Sequence, residues 1–244
     1  MQLDALAIAL RPRPMGEAAD LGVALVQTHA RALWRCYTPV WAGVLLFALA
    51  TIEIAPWLPG LLIFWLKPWL DRTLLFVLSR AVFGETTQWA DLWRARRSVF
   101  AGQWLATLSL ARLSPWRAFT QPIGQLEGLR GKAGRRRRAQ LLAGQRGSVA
   151  GLQFAYANLE LVLVLSVIAL VAWFTPAAGF GQVWSWLTDD SLLLGQASLA
   201  LLYAGVVLAL EPFYVAGGLA QYLNRRVELE AWDVEQALRH AFSR

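Results

Sequence analysis

One cysteine, Cys36, occurs in 244 residues, so no disulfide can form within the chain. Histidine is almost as scarce. With only His29 and His240, and no Cys-x-x-Cys pair, the ligand set for a zinc site is missing. Charge is sparse too: 16% of residues are Asp, Glu, Lys or Arg, against about a quarter in soluble domains. The sequence also lacks Gly-x-Ser-x-Gly, His-Glu-x-x-His and a phosphate-cradling loop, and Gly128-Leu129-Arg130-Gly131-Lys132 has neither the spacing nor the preceding strand for the last of these. A soluble enzyme, a resident metal and a bound cofactor are therefore not expected.

What remains is apolar and basic. Hydrophobic residues make up 57% of the chain and mean hydropathy is +0.43, values that place most of it in lipid. Residues 191–210 form an uncharged run of twenty, long enough to cross a hydrocarbon core of about 30 Å as a helix. Residues 152–173 form a second apolar span, twenty-two residues with Glu160 as its one charge, and 37–83 an apolar hairpin punctuated by Pro56 and Pro59. Within that hairpin Lys67, Pro68, Asp71 and Arg72 interrupt the segment 58–83, which reads either as a kinked crossing or as a short returning helix bent at Pro68. The kinked return is preferred, because basic residues follow it.

The formal charge of +7 sits between the apolar blocks. Residues 84–146 hold Arg130, Lys132, Arg135, Arg136, Arg137, Arg138 and Arg146, whereas 175–190 has no lysine or arginine and ends in Asp189 and Asp190. Basic loops face the cytoplasm, so 84–146 and both termini are assigned inside. Residues 99–113 are too short to span, and 114–125, with Pro115 and Pro122, reads as loop. Residues 15–36 and 227–243 show amphipathic helical spacing, and residues 1–10 carry Asp4 without a basic start, which does not suit a signal peptide. The expected architecture is all-α and polytopic, with about four transmembrane helices in two hairpins.

Glu160 lies fourteen residues after Arg146, and Glu211 fourteen before Arg225, on helices that run in opposite directions. Both carboxylates thus reach a similar depth, about 21 Å of helix from a basic edge. Such groups must be paired, hydrogen-bonded or protonated. As interhelical glue they would join Lys67, Arg72 or Arg80, or bond to Asn158 and to backbone freed by Pro212. As a proton, cation or substrate path they would use Pro212, Gly217 and Gly218 as a break in the helix. Asp71 has Lys67 four residues before it as a helical partner. The polybasic residues from Arg130 to Arg146 lack interleaved aromatics, so contact with anionic headgroups or an acidic partner is expected rather than nucleic acid.

Glu211-Pro212-Phe213-Tyr214, then Leu223-Asn224-Arg225-Arg226 and Leu229-Glu230-Ala231-Trp232-Asp233-Val234-Glu235, resemble the closing signature of a family of uncharacterised bacterial multi-pass membrane proteins. The segments Leu66-Lys67-Pro68 to Leu78-Ser79-Arg80, Phe83-Gly84-Glu85 and Gln125-Leu126-Glu127-Gly128-Leu129-Arg130-Gly131 are similar to it as well. Such proteins tend to be encoded near MoxR-type AAA+ ATPases and transglutaminase-like membrane proteins, and more distantly resemble the membrane domain of some glycerophosphodiesterases. The resemblance implies an inner-membrane accessory component with protein partners. The alternative from the residues is a small oligomeric transporter or channel using Glu160 and Glu211.

Overall fold

The structure, a computed structural model, describes residues 13–101, 113–175, 179–189 and 193–230, and is all-helical. In chain order the helices are α1 (Met15–Thr28), α2 (Ala30–Leu49), α3 (Leu58–Val82), α4 (Trp89–Arg94), α5 (Arg117–Gln125), α6 (Gly131–Leu142), α7 (Arg146–Phe174), α8 (Gly179–Thr188) and α9 (Leu193–Glu230). A π turn at Arg97–Ala101 follows α4. Three of them, α2, α7 and α9, are long and apolar enough to cross a membrane. α3 matches them in length, about 37 Å at 1.5 Å per residue, but carries Lys67, Asp71, Arg72 and Arg80.

α3 and α9 are the central pair. α3 runs as one helix through Pro68, and fifteen of its twenty-five residues are buried, too many for one stripe, so neighbours cover it on several sides. Pro59 sits in its first turn, where its missing N–H is not needed. α9 spans 38 residues, about 57 Å. It outruns a bilayer with its headgroups and continues unbroken past the expected end near 223, so the start of the separate 227–243 helix is the end of α9; residues 231–243 lie outside the described residues.

Small residues let two helices approach the α9 backbone. A Cβ on Gly22 would lie 2.5 Å from the carbonyl carbon of Ala216, and one on Gly218 only 2.4 Å from the Ala118 Cβ. α1 and α5 therefore seat at Ala216–Gly218 by van der Waals contact, which is what drives helix association once both helices are out of water. The α1 entry is pinned as well. Asn224 accepts from the Arg13 N–H at 2.9 Å and donates to the Arg13 carbonyl at 2.8 Å, while Gln221 donates to the Met15 carbonyl at 3.2 Å.

Two stretches differ from the sequence reading for local reasons. The amphipathic segment 15–36 is two helices broken at His29, and the first packs along α9 rather than lying apart as a surface helix. Residues 114–125 are loop only to Trp116; Arg117 then starts α5, which tolerates Pro122 and buries Phe119 and Ile123 against the bundle. The segment expected at 99–113 falls mostly outside the described residues.

α7 is the opposite of α3. Only Val149, Ile168 and Ala172 are buried among its 29 residues, leaving Phe154, Leu161, Val162, Leu170 and Trp173 on an open apolar face suited to lipid or another membrane protein. α8, in the expected outer loop, folds back onto α7 and α9.

Candidate functional site

Where α3, α5, α7 and α9 meet, five charged side chains converge. Lys67 Nζ lies 2.7 Å from Glu160 Oε2 and 2.9 Å from Glu211 Oε2, so the two glutamates meet through one lysine. Glu211 turns its other oxygen, Oε1, to Arg117 at 3.0 Å. Arg117 in turn lies 2.9 Å from Asp71. Each carboxylate thereby has a cation, as burial at this depth requires. Glu211 is the hub, 2% exposed, with Lys67 on one oxygen and Arg117 on the other.

Helical register explains this convergence. Lys67 and Asp71 are four apart and share a face of α3, while Glu211 and Tyr214 are three apart and share a face of α9. The Arg117 guanidinium lies over the Tyr214 ring at 5.4 Å, and the Tyr214 hydroxyl accepts from the Ala118 N–H at 3.2 Å while donating to Gln153 of α7. Burial alone would lower the Arg117 pKa, but Asp71, Tyr214 and Glu211 hold it above the usual guanidinium value. It stays charged at any working pH.

Three carboxylates, Asp71, Glu160 and Glu211, face two cations, Lys67 and Arg117. The network is therefore one negative charge in excess, to be neutralised by a proton or a cation. Asp71 is the least satisfied member. Its approach to Arg117 lacks hydrogen-bond angles, and among the described residues no N–H or O–H donates to either carboxylate oxygen, although the side chain is fully buried.

A cavity of about 600 Å³ opens beside the network, lined at its polar end by Lys67, Arg117, Gln153 and Glu160 and elsewhere by apolar groups such as Phe64 and Val164. Glu160, the outermost carboxylate, is its acidic wall. Among the described residues no three His, Cys, Asp or Glu side chains are placed to hold a metal ion.

The other expected site residues are placed elsewhere. Asn158 bonds back to the Phe154 carbonyl at 2.7 Å on the exposed side of α7 and does not join the glutamates. Arg72 is buried, and its carbonyl accepts from Gln125 at 2.8 Å. Arg80 pairs with Glu85 at 3.0 Å. α9 is unbroken at Pro212, Gly217 and Gly218, and the glycines serve close packing.

The basic run divides by exposure, with Arg130 just before α6 and Arg146 at the start of α7. Arg130, Lys132, Arg135, Arg136 and Arg146 are exposed, but Arg137 turns inward onto Glu127 (3.0 Å) and Glu230, and Arg138 onto Ser114 (2.5 Å) and the Trp116 ring. Burial lowers the Arg138 pKa.

Sequence reasoning missed Arg117, Tyr214 and Gln153. The one available signal was the apolar spacing of Ala118, Phe119 and Ile123 behind Arg117, which two prolines obscured. Comparison with protein-family models, curated proteins and solved structures finds no match to this chain.

Proposed function

We propose that this chain is a non-catalytic multi-pass component of a bacterial inner-membrane assembly, with 84–146 and both termini in the cytoplasm and α3 crossing as a fourth span. The observation that carries this reading is that Lys67, Arg117 and their three carboxylates cross-link four helices, α3, α5, α7 and α9, with each carboxylate in contact with a cation of the protein. Such a network fixes the helix that leaves the basic segment into the bundle, which is what a scaffold presenting that segment needs. The open apolar face of α7 and the exposed arginines of α6 then offer membrane and cytoplasmic surfaces to partners, to anionic lipid, or to further copies of the chain. Three of the stretches that resemble the bacterial family supply Lys67, Asp71, Glu211 and Tyr214, which belong to or touch this network, and Glu127, the partner of Arg137.

Capture of the intact protein from its native membrane tests the reading. Recovery of a stable envelope partner, an ATPase among them, supports it, and recovery of the chain alone overturns it. The second reading, a small oligomeric transporter or channel, is favoured by the cavity that reaches Lys67, Arg117 and Glu160. Glu160→Gln and Glu211→Gln separate the two. Loss of folded protein supports the scaffold, whereas intact assembly with abolished flux in proteoliposomes supports transport.

A further inference from the structure

A second cavity, of about 690 Å³, lies at the elbow between α1 and α2, lined by His29, Arg31 and Arg35 on one side and by Thr86, Thr87 and Gln88 from the segment after α3 on the other. Among the described residues no carboxylate lines it. Arg31 and Arg35 are four apart on α2, so their guanidinium groups share a face. Arg13, Arg80, Arg117, Arg137 and Arg226 each pair with a carboxylate, but Arg31 and Arg35 make no hydrogen bond, ion pair or ring contact among the described residues. Both are exposed, as Arg135 and Arg136 of α6 are, but they line this cavity together.

Thr87 supplies an independent sign. It is 5% exposed, and its hydroxyl is buried with no hydrogen-bond partner, although its carbonyl is held 3.8 Å from the Cys36 sulfur. A buried hydroxyl left unsatisfied is costly, and because Thr87 lines the cavity, a side-chain rotation toward an acceptor atom bound there would relieve it. Two guanidinium groups and a waiting O–H donor match tetrahedral oxyanions, which guanidinium groups bind bidentately. The volume falls within the 300–1,000 Å³ range of small-molecule sites and leaves room for the group the anion is attached to.

We propose that this elbow cavity binds a phosphate group, as a monoester or diester, between Arg31 and Arg35 and the Thr87 hydroxyl. The same chemistry is presented by an anionic phospholipid headgroup or by a soluble phosphorylated small molecule.

The full chain, purified in detergent, is titrated with phosphatidic acid, with phosphatidylcholine and with inorganic phosphate, and bound states are counted by native mass spectrometry. Saturable binding of phosphatidic acid over phosphatidylcholine, without binding of inorganic phosphate, assigns the lipid source. Saturable binding of inorganic phosphate assigns the soluble one. Arg31→Gln with Arg35→Gln weakens binding by about tenfold or more, as loss of charge-assisted hydrogen bonds implies. Thr87→Val weakens it severalfold while leaving the melting temperature unchanged or slightly raised, so it reads the site even where the arginine variant fails to fold. Arg135→Gln with Arg136→Gln leaves binding as it was. Absence of saturable binding to both phosphatidic acid and inorganic phosphate, wild-type affinity in Thr87→Val, or an equal loss in the Arg135 and Arg136 variant overturns the proposal.

Discussion

The network around Glu211 and the one around Glu230 use the same kinds of residue at nearly the same distances, yet they are built on different terms. At the basic end of the molecule Arg137 and Arg226 face Glu127 and Glu230, two cations to two carboxylates. The bonds there are forked: Arg226 places Nε and Nη2 on Glu230, and Arg137 does the same on Glu127. The inner network substitutes a lysine for one guanidinium, binds by single atoms, and holds one carboxylate too many. Forked, balanced pairs near the surface tolerate loss because water replaces the missing partner. A single-point network among apolar helices has no such reserve, so charge count there decides stability.

That contrast is broken most severely at Lys67. Lys67→Met removes the cation shared by Glu160 and Glu211 and leaves three carboxylates against Arg117 alone. The expected loss is about 3–5 kcal/mol, as when one partner of a buried pair is deleted. Thermal unfolding in detergent should show little folded protein, and a melting temperature equal to wild type would show that the inner network carries no stability. Gly218→Val reaches the same network without touching a charge. Its side chain collides with Ala118, next to Arg117, so α5 must shift and draw Arg117 from Asp71 and Glu211. Overpacking of this kind costs about 1–3 kcal/mol. Ala118→Gly is expected not to rescue Gly218→Val, because the carbonyl carbon of residue 118 would still lie 2.7 Å from the new Cβ, and full rescue would show that α5 does not seat so closely.

The similar depth of Glu160 and Glu211 was legible from two fourteen-residue spacings on antiparallel helices, but their meeting through Lys67 was not. Depth does not fix azimuth, and that is where reading the chain ran out. Asn158 is two residues from Glu160, about 200° around the helix at 100° per residue, so it faces outward. Arg80 is thirteen residues from Lys67, about 20 Å along α3, beyond reach of the glutamates. Arg117 was hidden for a different reason: its role depends on how α5 docks against Gly218, a tertiary fact, while Pro115 and Pro122 argued locally for loop. The three apolar helices followed directly from length and hydropathy, but the burial of α3, which carries four charges, followed only from the helices packed around it.

At the outer network the expected change is smaller. Arg226→Gln removes a fork onto Glu230 but leaves Arg137 on both Glu127 and Glu230. The side chains there are 13–25% exposed, so water screens what remains. A loss of about 1 kcal/mol or less is expected, shrinking further as salt rises. A loss that matches Lys67→Met and ignores salt would erase the distinction between the two networks.

The smallest change is expected where burial is greatest, at Asp71. Asp71→Asn keeps the side chain's size but removes a carboxylate, leaving Glu160 and Glu211 against Lys67 and Arg117. The interior then holds equal numbers of each charge, and Arg117 keeps its contact with Glu211 at 3.0 Å. If the excess charge is a defect that a proton or cation must repair, the amide loses less than about 1 kcal/mol or gains slightly, since a buried unpaired charge is what costs most. If Asp71 instead holds Arg117 as an indispensable counter-ion, the same substitution costs about 3–5 kcal/mol, like Lys67→Met. The two melting curves, measured side by side, thus decide whether sign balance or individual pairing governs the inner network. A large loss at both positions would leave Asp71 as structural as Lys67, and a loss at Lys67 alone would mark Asp71 as the group that takes up the extra proton or cation.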